Sequence, residues 1–137
     1  PHYAVHLPIQ AKPELIEKYR AKLRPGLKHT NPTYAAMLES LDAAVGRVRA
    51  KLDELKLTER TIVIFTSDNG GRIPTTSNAP LRAGKASAYE GGVRVPLIVS
   101  WPGVTKPGSV SDAPVIQTRI GAASAVQVTY AYAGIRG

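Results

Sequence analysis

At 137 residues the chain has room for one domain with a modest core, and its lack of cysteine excludes disulfides, zinc–thiolate centres and thiol nucleophiles. A net charge of +8, from 18 basic against 10 acidic residues, favours anionic partners through long-range steering. The basic residues are scattered, aromatics make up only 6% and no nucleic-acid-binding motif occurs, so nucleic acid is not the expected partner. Nor is a membrane, since no apolar run approaches the ~18 residues that a span needs.

The opening Tyr3-Ala-Val-His-Leu-Pro-Ile-Gln10 reads as the end of a strand stopped by Pro8, which puts His6 at a strand terminus. There is no signal-peptide pattern and no initiator methionine, which reads as a chain cut from something longer. Pro13 in a first helical turn, followed by Glu14 and Glu17, opens a short basic helix to about Leu23, where Pro25-Gly26 breaks it. Asn31-Pro32 is a second helix start, an N-cap residue with proline behind it. Tyr34, Leu38, Leu41, Val45, Val48, Leu52 and Leu55 then recur at alternating intervals of four and three, one apolar stripe on a long helix over 32–55. The spacing also fits a coiled-coil seam. The strand signal that follows within a few residues favours a helix packed on a sheet.

Residues 61–66, Thr-Ile-Val-Ile-Phe-Thr, form a short apolar run of the kind buried on both faces in a parallel α/β sheet. Ser67-Asp-Asn-Gly-Gly71 follows at once. Ligands in open α/β sheets sit outside the carboxyl ends of strands, and a carboxylate beside a carboxamide offers hard oxygens to a cation. Taken alone, Asp-Asn-Gly is more often a turn than a metal site. Beyond it the chain lacks periodicity until Val93 and carries Pro74, Asn78, Pro80, Gly84, Gly91 and Gly92, a polar loop of a length that usually serves function. A second strand over 95–100 stops at Trp101-Pro102-Gly103, and a looser stretch runs to Pro114. In the tail, Val126, Val128, Tyr130 and Tyr132 alternate onto one face, a strand signal over 126–132.

The loop words decide the reading. Ser67-Asp-Asn-Gly-Gly71 is followed by Pro80-Leu-Arg-Ala-Gly-Lys-Ala-Ser-Ala-Tyr-Glu-Gly-Gly-Val-Arg-Val-Pro-Leu-Ile-Val-Ser-Trp-Pro-Gly103. The series strongly resembles the sulfatase family of the alkaline-phosphatase-like superfamily, whose pattern runs S-D-N-G-G, a spacer, then P-L-R-G-G-K-G-x-x-Y-E-G-G-x-R-V-P-x-I-x-x-W-P-G. The Val-His-x-Pro-Ile-Gln-Ala segment around His6 and the helix carrying Leu41-Asp42 and Val45-Gly46 agree, so the resemblance covers about 3–114. It implies an α/β fold, a partial and mostly parallel alkaline-phosphatase-like sheet with flanking helices. On this basis 1–114 is a fragment of a sulfatase-like catalytic domain and 115–137 a divergent tail.

The resemblance also implies roles. Sulfatases hold one divalent cation, calcium in most members, with zinc or another ion as alternatives. Asp68 and Asn69 match two of its oxygen ligands. Lys85 matches the lysine that grips the sulfate oxygens, and His6 a histidine that contacts the sulfate or the leaving-group oxygen. Those two are the expected catalytic and substrate-binding residues. The chemistry is coherent: a cation and a lysine neutralise a tetrahedral anion, and an imidazole can protonate a departing alcohol. Glu90 and Arg94 read as supports of the loop. Without the surrounding words, His6 would be an ordinary strand-end histidine and Lys85 a solvated surface lysine. His2 and His29 match nothing and read as surface residues.

The departures matter as much. The family's formylglycine nucleophile comes from a C/S-x-P-S/A-R motif that is absent here, as are its two consecutive acidic metal ligands. Ala83 and Ala86 stand where the loop pattern has glycine, and the pattern is lost after Pro114-Val-Ile-Gln-Thr118. The expected activity is metal-dependent hydrolysis of sulfate esters, or promiscuously phosphate esters, by metal-activated water in a retained cation and oxyanion pocket. The cation should be weakly held, because affinity follows ligand charge count. The alternative is a non-catalytic oligomeric remnant that binds anions or metal weakly. Surfaces built to be buried against a larger sheet predict a homo-oligomer, most simply a twofold dimer burying well over ~1,000 Å² through the 34–55 stripe or the tail strand.

Overall fold

Local chemistry sets the two helices of the computed structural model, which describes residues 2–113. Helix α1 (Pro13–Arg20) starts on a proline, with Glu14 in its first turn and Lys18 and Arg20 in its last, as the helix dipole favours. Helix α2 (Pro32–Glu54) is capped by Asn31, whose Oδ1 accepts the Tyr34 N–H at 3.0 Å. It closes with a paired reversal in which Leu57 N–H donates to Leu52 O at 2.9 Å and Lys56 N–H to Asp53 O at 3.0 Å. Lys56 takes the left-handed conformation this closure requires, with φ 56°.

Helix α1 lies on α2, tied by Lys18 Nζ donating to both carboxylate oxygens of Glu39 at 2.8 Å. Hydrogen bonds from Lys18 and from the Tyr19 hydroxyl hold the Glu39 carboxyl below the usual carboxylate range. The hydrogen bond to Glu39 in turn raises both Lys18 and Tyr19.

Strand β1 (Val63–Thr66) pairs with strand β2 (Leu97–Ser100), in register from Val63 opposite Ser100 to Thr66 opposite Leu97. The pairing is antiparallel, so the two described strands do not form the mostly parallel sheet expected from the sequence. A parallel pair needs a crossover that carries the chain back to the strand's starting end, usually through a helix. Here the connection instead folds at the end of β1. Its only helix is the four-residue α3 (Glu90–Val93), and Gly70 N–H is bonded to Gly92 O at 2.9 Å. The chain therefore enters β2 beside the exit of β1 and runs back along it.

Two further expectations are corrected. Residues 3–5 form no strand, because a strand needs a ladder partner and none of the described segments offers one; the segment turns instead, with His6 N–H donating to Tyr3 O at 3.0 Å. Nor does α2 pack closely on the strands: no Cα of β1 or β2 comes within 8 Å of a Cα of α2, whose neighbours are α1 and a 3-10 turn at Thr58–Arg60. Accordingly β1 is half-buried rather than buried on both faces, and β2 is mostly exposed. Among the described residues the buried apolar set is Ala36, Met37 and Val95, while Val48 and Leu55 of the α2 stripe are 58% and 55% exposed. The tail over 115–137, with its expected strand at 126–132, lies outside the described residues.

Candidate functional site

Where β1 ends, the chain turns. Ser67 Oγ donates to Asn69 O at 2.9 Å, and Asn69 Nδ2 donates to Asp68 Oδ2 at 2.6 Å. The carboxylate and the carboxamide are thus held side by side just past the carboxyl end of the strand, Asp68 exposed and Asn69 half-buried. The next two residues are glycines for a steric reason. A Cβ on Gly70 would stand 1.8 Å from Gly91 O, and one on Gly91 would stand 2.1 Å from Ala83 O. The Asn-Gly-Gly and Glu-Gly-Gly words mark the place where two backbone stretches cross with no room for side chains.

Hydrogen bonds lock this crossing. Gly91 N–H donates to Arg82 O at 2.8 Å, and Lys85 N–H donates to Gly71 O at 3.0 Å. The Asn78 side chain sits between the stretches: Oδ1 accepts from Gly71 N–H at 2.9 Å, and Nδ2 donates to Gly71 O at 2.8 Å and to Ala83 O at 3.2 Å. The backbone of Lys85 is therefore fastened to the segment that begins with Asp68 and Asn69. Ala83 and Ala86 on either side take φ 61° and 72°. The Arg82 guanidinium lies 3.7 Å from the Tyr89 ring centroid, and Arg94 Nη1 meets Glu90 Oε2 at 3.3 Å.

Of the four site residues expected from sequence, Asp68 and Asn69 are hydrogen-bonded neighbours, and Lys85 is tied by its backbone to Gly71, two residues past Asn69, with its side chain exposed. His6 belongs to its own segment, its Nδ1 2.9 Å from Leu7 O and its ring centroid 6.1 Å from that of Tyr3. Among the described residues no hydrogen bond or ion pair joins His6 to Asp68, Asn69 or Lys85. His29, read from sequence as a surface residue, reaches the loop: its Nδ1 lies 3.2 Å from Thr76 Oγ1. Asn78 is the residue that sequence reasoning passed over, since a lone asparagine in a Thr-Thr-Ser-Asn-Ala run carries no signal of long-range bonding. An open dent between the end of α1 and the start of α2, lined by Tyr19, Lys22, Leu27, His29 and Pro32, includes no residue of the 67–94 loop.

The donor set suits a hard divalent cation only in part. Asp68 and Asn69 supply two adjacent oxygens, and calcium takes ~6–8. Among the described residues no group of three or more His, Asp and Glu side chains could hold a metal ion.

Comparison with known proteins agrees with the loop words. The family model described as Sulfatase matches residues 2–134. A protein named Sulfatase from Formosa agariphila is 44% identical over 126 residues, covering 86% of this chain and 23% of that protein. Human Arylsulfatase A is 47% identical over 75 residues, covering 52% of this chain and 15% of its own length. A crystal structure of Ps i-CgsB in complex with k-i-k-neocarrahexaose superposes with a TM-score of 0.64 at 37% identity, covering 73% of this chain and 22% of that one. The chain thus spans less than a quarter of the length of these relatives. Over the part it shares with them, it belongs to the sulfatase family.

Proposed function

We propose that the 68–85 loop is the cation- and sulfate-holding part of a sulfatase site, directed at sulfate esters and, less selectively, phosphate esters. The observation that carries this reading is the hydrogen bond from Lys85 N–H to Gly71 O, which fastens the anion-holding residue to the segment of Asp68 and Asn69. In this reading Asp68 and Asn69 give a divalent cation, calcium by family likeness, two of its oxygens. When bound, the ion neutralises charge on the tetrahedral centre. Lys85 holds the ester's sulfate oxygens as a point charge. His6 enters as donor of a proton to the leaving alcohol, on the strength of the words around it. Within these 137 residues no formylglycine motif occurs, and for this chain by itself the reading assigns the attack to water. Assembly into a homo-oligomer through the α2 stripe is part of the reading, supported by the exposure of Val48 and Leu55.

The test titrates the chain with calcium and with sulfate at two protein concentrations and assays aryl sulfate and aryl phosphate esters. We expect weak calcium binding that Asp68→Ala abolishes. Sulfate binding should weaken on the order of tenfold or more in Lys85→Ala, the size of a hydrogen-bonded charge lost. Binding that does not change with protein concentration would count against assembly. Retained binding without turnover would select the non-catalytic remnant. A chain that responds to neither ion would remove the site altogether.

A further inference from the structure

We infer that Asn78 is a positioning residue: it sets how far the anion-holding Lys85 stands from the cation-holding pair Asp68 and Asn69. The inference rests on the site reading above, and its observations are geometric. The three hydrogen bonds of the Asn78 side chain all go to backbone, two to Gly71 and one to Ala83. Gly71 lies two residues past Asn69, and Ala83 two residues before Lys85. The side chain therefore spans the gap between the two halves of the site and touches neither ligand-holding group.

Its chemistry is matched to that span. A primary carboxamide can accept one N–H and donate to two carbonyls at once, whereas a carboxylate can only accept. Gly71 O takes both Asn78 Nδ2 at 2.8 Å and Lys85 N–H at 3.0 Å, so both of its lone pairs are used. Glycine on either side leaves the amide its place: a Cβ added at Gly71 would stand 2.9 Å from Asn78 Oδ1, and one added at Gly84 would stand 2.6 Å from Nδ2. A site that couples a cation to an anion depends on the distance between the two. A displacement near ~1 Å, caused from outside the site, can weaken its action on the order of a hundredfold.

The experiment compares the full chain with Asn78→Ala and Asn78→Asp by amide hydrogen exchange. Calcium chloride and sodium sulfate titrations are followed at the Asn69 and Lys85 amides. In Asn78→Ala the Gly71 and Lys85 amides should exchange about tenfold faster, as for a lost hydrogen bond, while the α2 amides hold. In Asn78→Asp the retained acceptor should keep Gly71 protected, and only Lys85 should exchange faster. Calcium should raise sulfate affinity on the order of fivefold in the native chain and leave it unchanged in Asn78→Ala, a loss of coupling that a merely structural role would not single out. Unchanged Lys85 protection in both variants overturns the inference, and so does unchanged calcium–sulfate coupling in Asn78→Ala. If the native chain responds to neither salt, the site reading falls while the exchange comparison still decides whether Asn78 joins the two segments. If Asn78→Ala loses the α2 amides, the Lys85 amide of Asn78→Asp decides alone.

Discussion

Two alanines in the loop occupy backbone conformations that suit glycine. Ala83 has φ 61° and Ala86 φ 72°, and at both positions the sulfatase pattern has glycine. An L-residue in the left-handed region is strained by ~1–2 kcal/mol, and the extra freedom of an unfolded glycine returns ~0.4–1 kcal/mol of that. Ala83→Gly and Ala86→Gly should therefore each stabilise the loop by roughly 0.5–1 kcal/mol, read as slower exchange of the Lys85 amide. Faster exchange in both variants would mean that the loop does not hold these φ values in solution. The sequence words pointed to these two positions but could not show the strain, which arises only once the loop is tied down on both sides. Lys56 is a like case at the end of α2, where the closure of the helix imposes φ 56° on a residue with a Cβ.

At the level of elements, what local chemistry decides was legible and what distant contacts decide was not. Pro13 and Asn31-Pro32 announced the starts of α1 and α2, because caps act within a turn, whereas α1 stops at Arg20, short of the end near Leu23 expected from Pro25-Gly26. The direction of β2 against β1 could not be read that way, since it follows from Gly70 meeting Gly92 across the loop. The joint between α1 and α2 is a distant contact of another kind and makes a prediction about pH. The Glu39 carboxyl lies below its ordinary value, so its contribution is complete above that value and is lost as pH falls through the lowered one. Lys18 and Tyr19 lie above their ordinary values, so their contributions hold below those values and are lost as pH rises through the raised ones. Helix α1 should thus stay docked through the neutral range and loosen at both extremes, followed by Tyr19 fluorescence or α1 amide exchange. Glu39→Gln should remove the acid limb, and salt should weaken the whole effect, since the pair is at the surface. An acid limb that survives in Glu39→Gln would place its origin elsewhere.

Over the whole molecule, the described residues bury Ala36, Met37 and Val95 but no large side chain fully, while Ile62, Ile98, Trp101 and Val110 stand exposed with much of the α2 stripe. The heat capacity released on unfolding, and the slope with which urea lowers stability, both grow with the surface that unfolding newly uncovers. A chain that already shows so much apolar surface has little left to uncover. Its calorimetric step should fall well below the ~12–15 cal/mol/K per residue of ordinary domains, and its urea slope should lie at or under ~1 kcal/mol/M. Melting should be broad for the same reason, since a transition sharpens with the enthalpy it gathers at once. A steep, single urea transition with a slope suited to 137 residues would show that in solution the bare faces are covered. A midpoint that climbed with protein concentration would name a second copy of the chain as the cover.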